Sequence, residues 1–168
     1  FLTQLRSYAS PLKYKRYLGS PLRYAGGKSL AVGYILERLP AGIKRVVSPF
    51  LGGGSVEVAC AVELKVPVVA YDIFDLLINY WHIQLTRPEE LYRRLSRMQP
   101  TRAMYSTVKQ RLQRYWLEKT PADALRLAAD YYFNFNTSFG PQFLGWQSSN
   151  YRNTLTYQRM LNRVRAFR

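Results

Sequence analysis

Residues 45–72 constrain this chain most. Arg45-Val46-Val47 is a short apolar, β-branched run, and Ser48-Pro49-Phe50-Leu51-Gly52-Gly53-Gly54-Ser55 follows it. Helical spacing then covers about Val56 to Leu64, and Val66-Pro67-Val68-Val69-Ala70-Tyr71-Asp72 is a second apolar run ending on an acid. Strand, Gly-rich turn, helix and strand in that order predict a βαβ unit with a parallel sheet, so the fold class is α/β. Val46-Val47 and Val68-Val69 are predicted to be neighbouring buried strands. Glycines at the mouth of the helix let the backbone approach a ligand closely at a helix N-terminus. Asp72 stands eighteen residues after Gly54, at the end of the second strand. An acid there is placed to bond ribose hydroxyls, as in nucleoside-cofactor sites of doubly wound sheets. The plainer meaning of the same residues is a tight turn and a helix cap.

Around this unit the chain divides in three. Residues 1–19 are a basic, Tyr-rich lead (Tyr8, Lys13, Tyr14, Lys15, Arg16, Tyr17), expected to be an arm or a loosely docked segment. Residues 20–100 carry the βαβ pattern. They also hold a helix through Leu30, Tyr34, Ile35 and Leu39, one over about Asp75 to Thr86, and one opening at Pro88. Residues 101–168 read as mainly helical: an amphipathic helix over 101–119, a second through Leu125, Leu127 and Ala128 to Phe133, and a last one from about Thr156. Asn134 to Asn153, rich in Asn, Ser, Gly and Gln, reads as a long functional loop.

Charge points to a partner. The 168 residues hold 25 Lys and Arg against 10 Asp and Glu, a net +15. Residues 87–168 carry 15 of the basic residues, 13 of them Arg. Arg suits phosphate and guanine recognition, so the expected partner is nucleic acid, with affinity falling steeply as salt rises. Cys60 is the single cysteine, which excludes a disulfide framework. With one His as well, no metal site is expected. No apolar run is long enough to span a bilayer and no signal-peptide pattern is present, so the expected compartment is the cytoplasm, with no membrane partner.

Gly26-Gly27-Lys28-Ser29 suggests a phosphate-binding P-loop, but that motif needs a glycine where Leu22 stands. The longer segment Pro21-Leu22-Arg23-Tyr24-Ala25-Gly26-Gly27-Lys28 instead resembles the N-terminal motif of the Dam-type (D12 class) DNA adenine-N6 methyltransferases. Pro49-Phe50-Leu51-Gly52-Gly53-Gly54-Ser55 resembles their cofactor loop. Tyr71-Asp72-Ile73 with Leu77-Ile78-Asn79-Tyr80-Trp81 and Arg87-Pro88-Glu89-Glu90-Leu91 resembles their second strand and following helix. Asn134-Phe135-Asn136-Thr137-Ser138-Phe139-Gly140 resembles the segment leading into their DNA-contacting loop. The four blocks occur in the family's order.

The resemblance implies a partial Rossmann-like, S-adenosylmethionine-dependent methyltransferase sheet in residues 20–100, with a mainly helical DNA-recognition insert in 101–168. The implied reaction moves the methyl group of S-adenosylmethionine to N6 of an adenine flipped out of double-stranded DNA. It implies cofactor roles for Lys28, Gly52, Gly54 and Asp72, with Tyr24 and Phe50 as pocket walls. Two departures stand out. Ser48 replaces the acid the family usually places before Pro-Phe, which reroutes one cofactor contact. The family's catalytic Asp-Pro-Pro-Tyr is missing, since none of the nine prolines precedes another.

That tetrapeptide grips the hydrogens of the exocyclic amine so that its nitrogen can pyramidalise toward the methyl group, while its aromatic residue stacks on the base. Asn134 or Asn136 has suitable chemistry, but the family places that segment elsewhere. No catalytic residue is therefore assigned in this chain. The sequence ends at Arg168, after what reads as the last helix of the insert. The expectation is a split enzyme and a heterodimer, in which a second polypeptide supplies Asp-Pro-Pro-Tyr across an apolar strand edge. A piece of a longer single chain is the alternative.

For DNA contact the candidates lie in 139–152. Phe143 or Trp146 could wedge at the vacated base, and Gln142, Gln147, Asn150 and Arg152 offer groove-edge groups. Arg111 and Arg114 are expected phosphate contacts. His82, beside Trp81, reads as structural. A methyltransferase-derived module that only binds DNA, and an RNA methyltransferase, are the competing readings; cofactor binding and strand-specific binding separate them.

Overall fold

The computed structural model describes residues 1–7 and 10–167. Tyr8 of the basic lead and Arg168 lie outside the described residues. The chain falls into two compact units, Phe1–Ser20 with Gly26–Ile73 and Pro21–Ala25 with Phe74–Arg168.

In the first unit the basic lead forms a helical turn, α1 (Leu2–Leu5), and an antiparallel pair, β1 (Arg6–Ser7) with β2 (Ser10–Tyr14). Tyr14 and Tyr17 are buried. Tyr14 lies against α2 (Val32–Leu36), where its ring meets Tyr34 edge-on at 4.9 Å. Gly33 permits this approach, because a Cβ there would fall 2.2 Å from the Tyr14 ring. The aromatic residues thus dock the lead, which charge patterning could not indicate. α2 is shorter than the predicted helix, beginning only after a turn at Ala31 and ending before Pro40.

β3 (Val46–Ser48) and β4 (Val68–Ala70) pair in parallel, Val46 opposite Val68 and Val47 opposite Val69. α3 (Ser55–Val62) makes the crossover and packs on both strands, burying Val58, Ala59 and Cys60. One expectation is corrected here. Val47 and Val69 are 55% and 39% exposed, not buried. Alternate strand residues face opposite sides, and Val46 and Val68 are half-buried on the other one.

The second unit is helical: α4 (Asp75–Thr86), α5 (Pro88–Ser96), α6 (Arg102–Glu118), α7 (Ala124–Thr137) and α8 (Thr154–Ala166), with a 3-10 turn at Ser149–Arg152. The starts are chemically marked. Pro88 opens α5, and the side chains of Thr101, Asp123 and Asn153 cap α6, α7 and α8 by accepting from backbone N–H groups. α7 is the core. It packs on α4, α5 and α6, and every residue from Leu127 to Thr137 is buried. Tyr132 stacks on Tyr80 at 5.5 Å.

α7 runs four residues into the segment expected to be a loop. Its polar residues find partners there. Asn134 Oδ1 accepts from Leu144 N at 2.8 Å, Asn136 Oδ1 accepts from Arg23 N at 2.7 Å, and Thr137 Oγ1 donates back to Phe133 O at 2.6 Å. Tertiary hydrogen bonding overrides a composition that favours turns.

Candidate functional site

The Gly-rich loop of the first unit is fixed from three sides. Leu51 N donates to Tyr71 O at 2.8 Å, extending the β3–β4 ladder past its last paired residues. Gly52 N donates to Asp72 Oδ2 at 2.9 Å. Ser20 Oγ, buried, donates to Gly53 O at 2.5 Å. Gly52 and Gly54 take φ of 49° and 65°, left-handed values that favour glycine. Gly54 is the N-cap of α3 and carries no side chain to close its first turn, so backbone N–H groups at that end stay available for a ligand.

Asp72 therefore sits directly on the Gly loop. Around it the surface is apolar. Phe50 is 83% exposed, Ile73 fully so, and Tyr71 is exposed as well. Of these, Phe50 was singled out from sequence; Tyr71 and Ile73 were not, although they flank the acid. Ser48 Oγ donates to Glu57 Oε1 at 2.6 Å. Glu57, on the first turn of α3, thus brings a carboxylate to the end of β3. Lys28 is exposed, and its Nζ donates to Gly26 O at 2.7 Å. Tyr24 belongs to the second unit, where its ring stacks on Phe135 at 5.2 Å. Its neighbour Arg23 donates to Asn136 O and lies 4.3 Å over the Tyr151 ring.

In the second unit the segment after α7 turns back on itself. Ser138 bridges Gln147, and Phe139 N donates to Trp146 O at 2.7 Å. Leu144 holds a positive φ of 55°, a conformation an L side chain rarely adopts. Asn134 fixes its backbone N–H, and the Tyr105 hydroxyl and Lys109 Nζ both donate to Gly145 O, at 2.9 and 3.3 Å. Burial pushes Tyr105 up to about 12. Gln147 Nε2 donates to Pro100 O at 3.0 Å, which commits it to the fold.

The two loop aromatics differ. Phe143 packs edge-on against Phe74 and Trp116, at 5.1 and 5.7 Å. Trp146 is 81% exposed, with Lys109 Nζ 5.3 Å above its ring. Gln142, Asn150 and Arg152 are exposed, as is Arg114 on α6. Arg111 is not free in the same way. Its Nε and Nη2 donate to the two carboxylate oxygens of buried Asp130, at 2.7 and 2.6 Å. That carboxylate holds the guanidinium still further above its ordinary pKa. His82 is exposed on α4. Among the described residues no cluster of His, Cys, Asp and Glu is arranged to hold a metal ion, and no helix is long and apolar enough to cross a membrane.

No curated protein matches the chain. A family model does, over residues 24–167, which takes in the Gly loop, Asp72, all of α3 to α8 and the loop after α7. The chain belongs to the D12 class N6 adenine-specific DNA methyltransferase family.

Proposed function

We propose that this chain is the cofactor-binding and DNA-recognition part of a site-specific DNA adenine-N6 methyltransferase that uses S-adenosylmethionine. One observation carries the reading: the 2.9 Å hydrogen bond from Gly52 N to Asp72. It puts an acid at a parallel strand end against a glycine loop that opens a helix. The residues fit the cofactor chemically. Asp72 suits ribose hydroxyls, the α3 N-terminus suits a carboxylate, and the exposed faces of Phe50 and Ile73 suit an adenine ring. Bound there, S-adenosylmethionine supplies an electrophilic methyl group. The chain's own residues orient it: Gly52 and Gly54 let the backbone come close, Asp72 fixes the sugar, and Phe50 excludes water from the ring. Lys28 completes the proposed cofactor set in the first unit. The proposed sheet is the Rossmann-like one that β3 and β4 would begin.

The second unit holds the DNA. Trp146 is the proposed wedge, and Gln142, Asn150 and Arg152 the groove-edge groups. Arg114 is a phosphate contact, while Phe143 and Arg111 shape the surface. The chemistry of methyl transfer needs acceptors on the N6 hydrogens, and these 168 residues contain no Asp-Pro-Pro-Tyr. Asn136 offers no substitute, since Arg23 and Tyr132 O occupy its amide and it is fully buried. We infer that the tetrapeptide is supplied from outside these residues, by a second polypeptide. The uncovered Val47 and Val69 face supports this, because strands of a parallel sheet are covered on both faces.

Isothermal titration with S-adenosylmethionine tests the cofactor half. The wild-type chain should bind and Asp72→Ala should not. Equal binding by both would refute the site. Newly formed N6-methyladenine should appear in DNA only when a polypeptide carrying Asp-Pro-Pro-Tyr is added.

A further inference from the structure

The second unit contains a cavity of about 460 Å³ between α5, α6 and α7, away from the loop that follows α7. Its wall carries four arginines: Arg93, Arg94 and Arg97 from α5 and its C-cap, and Arg111 from α6. Two carboxylates also line it, Glu90 and Asp130, and both are already matched. Arg87 grips Glu90 through two hydrogen bonds of 2.8 and 2.7 Å, and Arg111 grips Asp130 likewise. Arg93 Nε donates weakly to Glu89 O, at 3.3 Å. Among the described residues the side chains of Arg94 and Arg97 make no hydrogen bond or ion pair. The cavity thus keeps uncompensated positive charge beside a floor of Met98 and Met104.

We propose that this cavity seats a backbone phosphate of duplex DNA, with Arg94 and Arg97 as the gripping forks and the Arg111–Asp130 pair as the rigid wall behind them. The inference rests on the reading that the second unit binds DNA. Guanidinium groups suit phosphate because their planar forks donate two parallel bonds to its oxygens. The placement suits it as well. Met104 and Arg111, seven residues apart, face the cavity, while Tyr105 and Lys109, four apart, hold the Trp146 loop. Val108 and Leu112 form the buried seam between those faces. The cavity and the Trp146 loop thus lie on different faces of α6, so a phosphate held in the cavity and the base that Trp146 addresses are separate contacts.

The test uses the full chain and a short fluorescent duplex, with anisotropy measured over a salt series. Arg94→Ala with Arg97→Ala should weaken binding about tenfold. It should also flatten the log–log salt slope by about one, since the slope changes by about 0.9 for each phosphate neutralised. Arg97→Ala alone, at an exposed side chain, should remove about half of that slope change with the thermal midpoint unchanged. Arg94→Lys with Arg97→Lys should keep most of the slope while losing affinity. A duplex with one neutral methylphosphonate moved along the strand should show a single sensitive position, lost in the double Ala variant. Unchanged affinity and slope in the double variant would overturn the inference and leave the DNA reading standing. Inorganic phosphate or adenosine monophosphate binding there with no effect on duplex affinity would show a small-anion site instead, and would also overturn it. Failure of the wild-type chain to bind any duplex would overturn both readings together.

Discussion

Replacing Arg111 decides whether its guanidinium is a structural strut or a solvated phosphate contact. Asp130 is 2% exposed, and Arg111 supplies both of its charge-assisted bonds, at 2.7 and 2.6 Å. Arg111→Ala strands that carboxylate. A fully buried orphaned charge costs about 3–5 kcal/mol. The Arg111 side chain is 37% exposed and borders the cavity, so water reaches part of the carboxylate. About 2–3 kcal/mol remains. In a chain of this length that lowers the thermal midpoint by about 5–10 °C. Arg111→Lys keeps the charge but loses the fork, so it should cost less than half as much. Arg111→Ala with Asp130→Ala should cost less than the sum of the single changes, with a coupling of about 2 kcal/mol. Circular dichroism melts and denaturant curves on wild type, the two Arg111 variants, Asp130→Ala and the double variant measure all of this. If Arg111→Ala melts within about 1 °C of wild type while duplex affinity falls tenfold, the strut argument is wrong and the arginine meets DNA directly.

The loop aromatics should separate by assay. Trp146→Ala should leave the melt unchanged but reduce duplex affinity and base-flipping fluorescence from 2-aminopurine, whereas Phe143→Ala should destabilise by about 2 kcal/mol by emptying the contact with Phe74 and Trp116. Asp72→Asn keeps an acceptor for Gly52 N, so a loss of cofactor binding in that variant, read by titration, reports the carboxylate's own contact with the ribose; binding equal to wild type would remove Asp72 from the site. Tyr105 ionises near 12 when folded and near 10 when unfolded, so the folded state holds the extra proton between those values. Its stabilising contribution is complete below pH 10 and lost as pH rises toward 12, and urea curves should show a shallower alkaline decline for Tyr105→Phe than for wild type.

Much of this was legible in the sequence because it rests on local chemistry. Val-rich runs, a glycine turn and a strand-end acid have short-range signatures, and β3, α3, β4 and Asp72 lie where those signatures put them. The start of α5 was readable for the same reason: Pro88 acts on its own backbone. What was not legible depends on distant partners. Nothing in Asn134-Phe135-Asn136-Thr137 announces a buried helix end, because the groups that satisfy it come from Arg23 and Leu144. Ser20 and Glu57 have no motif of their own; only the fold brings them to Gly53 and Ser48. Arg111 reads as one more surface cation until Asp130 is seen nineteen residues away, and the Arg94–Arg97 cavity exists only once α5, α6 and α7 are packed.

The proposed division of labour gives cofactor and DNA binding to these residues, and the groups that receive the N6 hydrogens to a second polypeptide. The most direct measurement is transfer of tritiated methyl from S-adenosylmethionine to duplex DNA by the purified 168-residue chain, with cofactor binding confirmed in the same preparation. The expected result is binding without transfer, and transfer to adenine N6 once a polypeptide carrying Asp-Pro-Pro-Tyr is added. Sustained N6-methyladenine formation by the chain alone would contradict it.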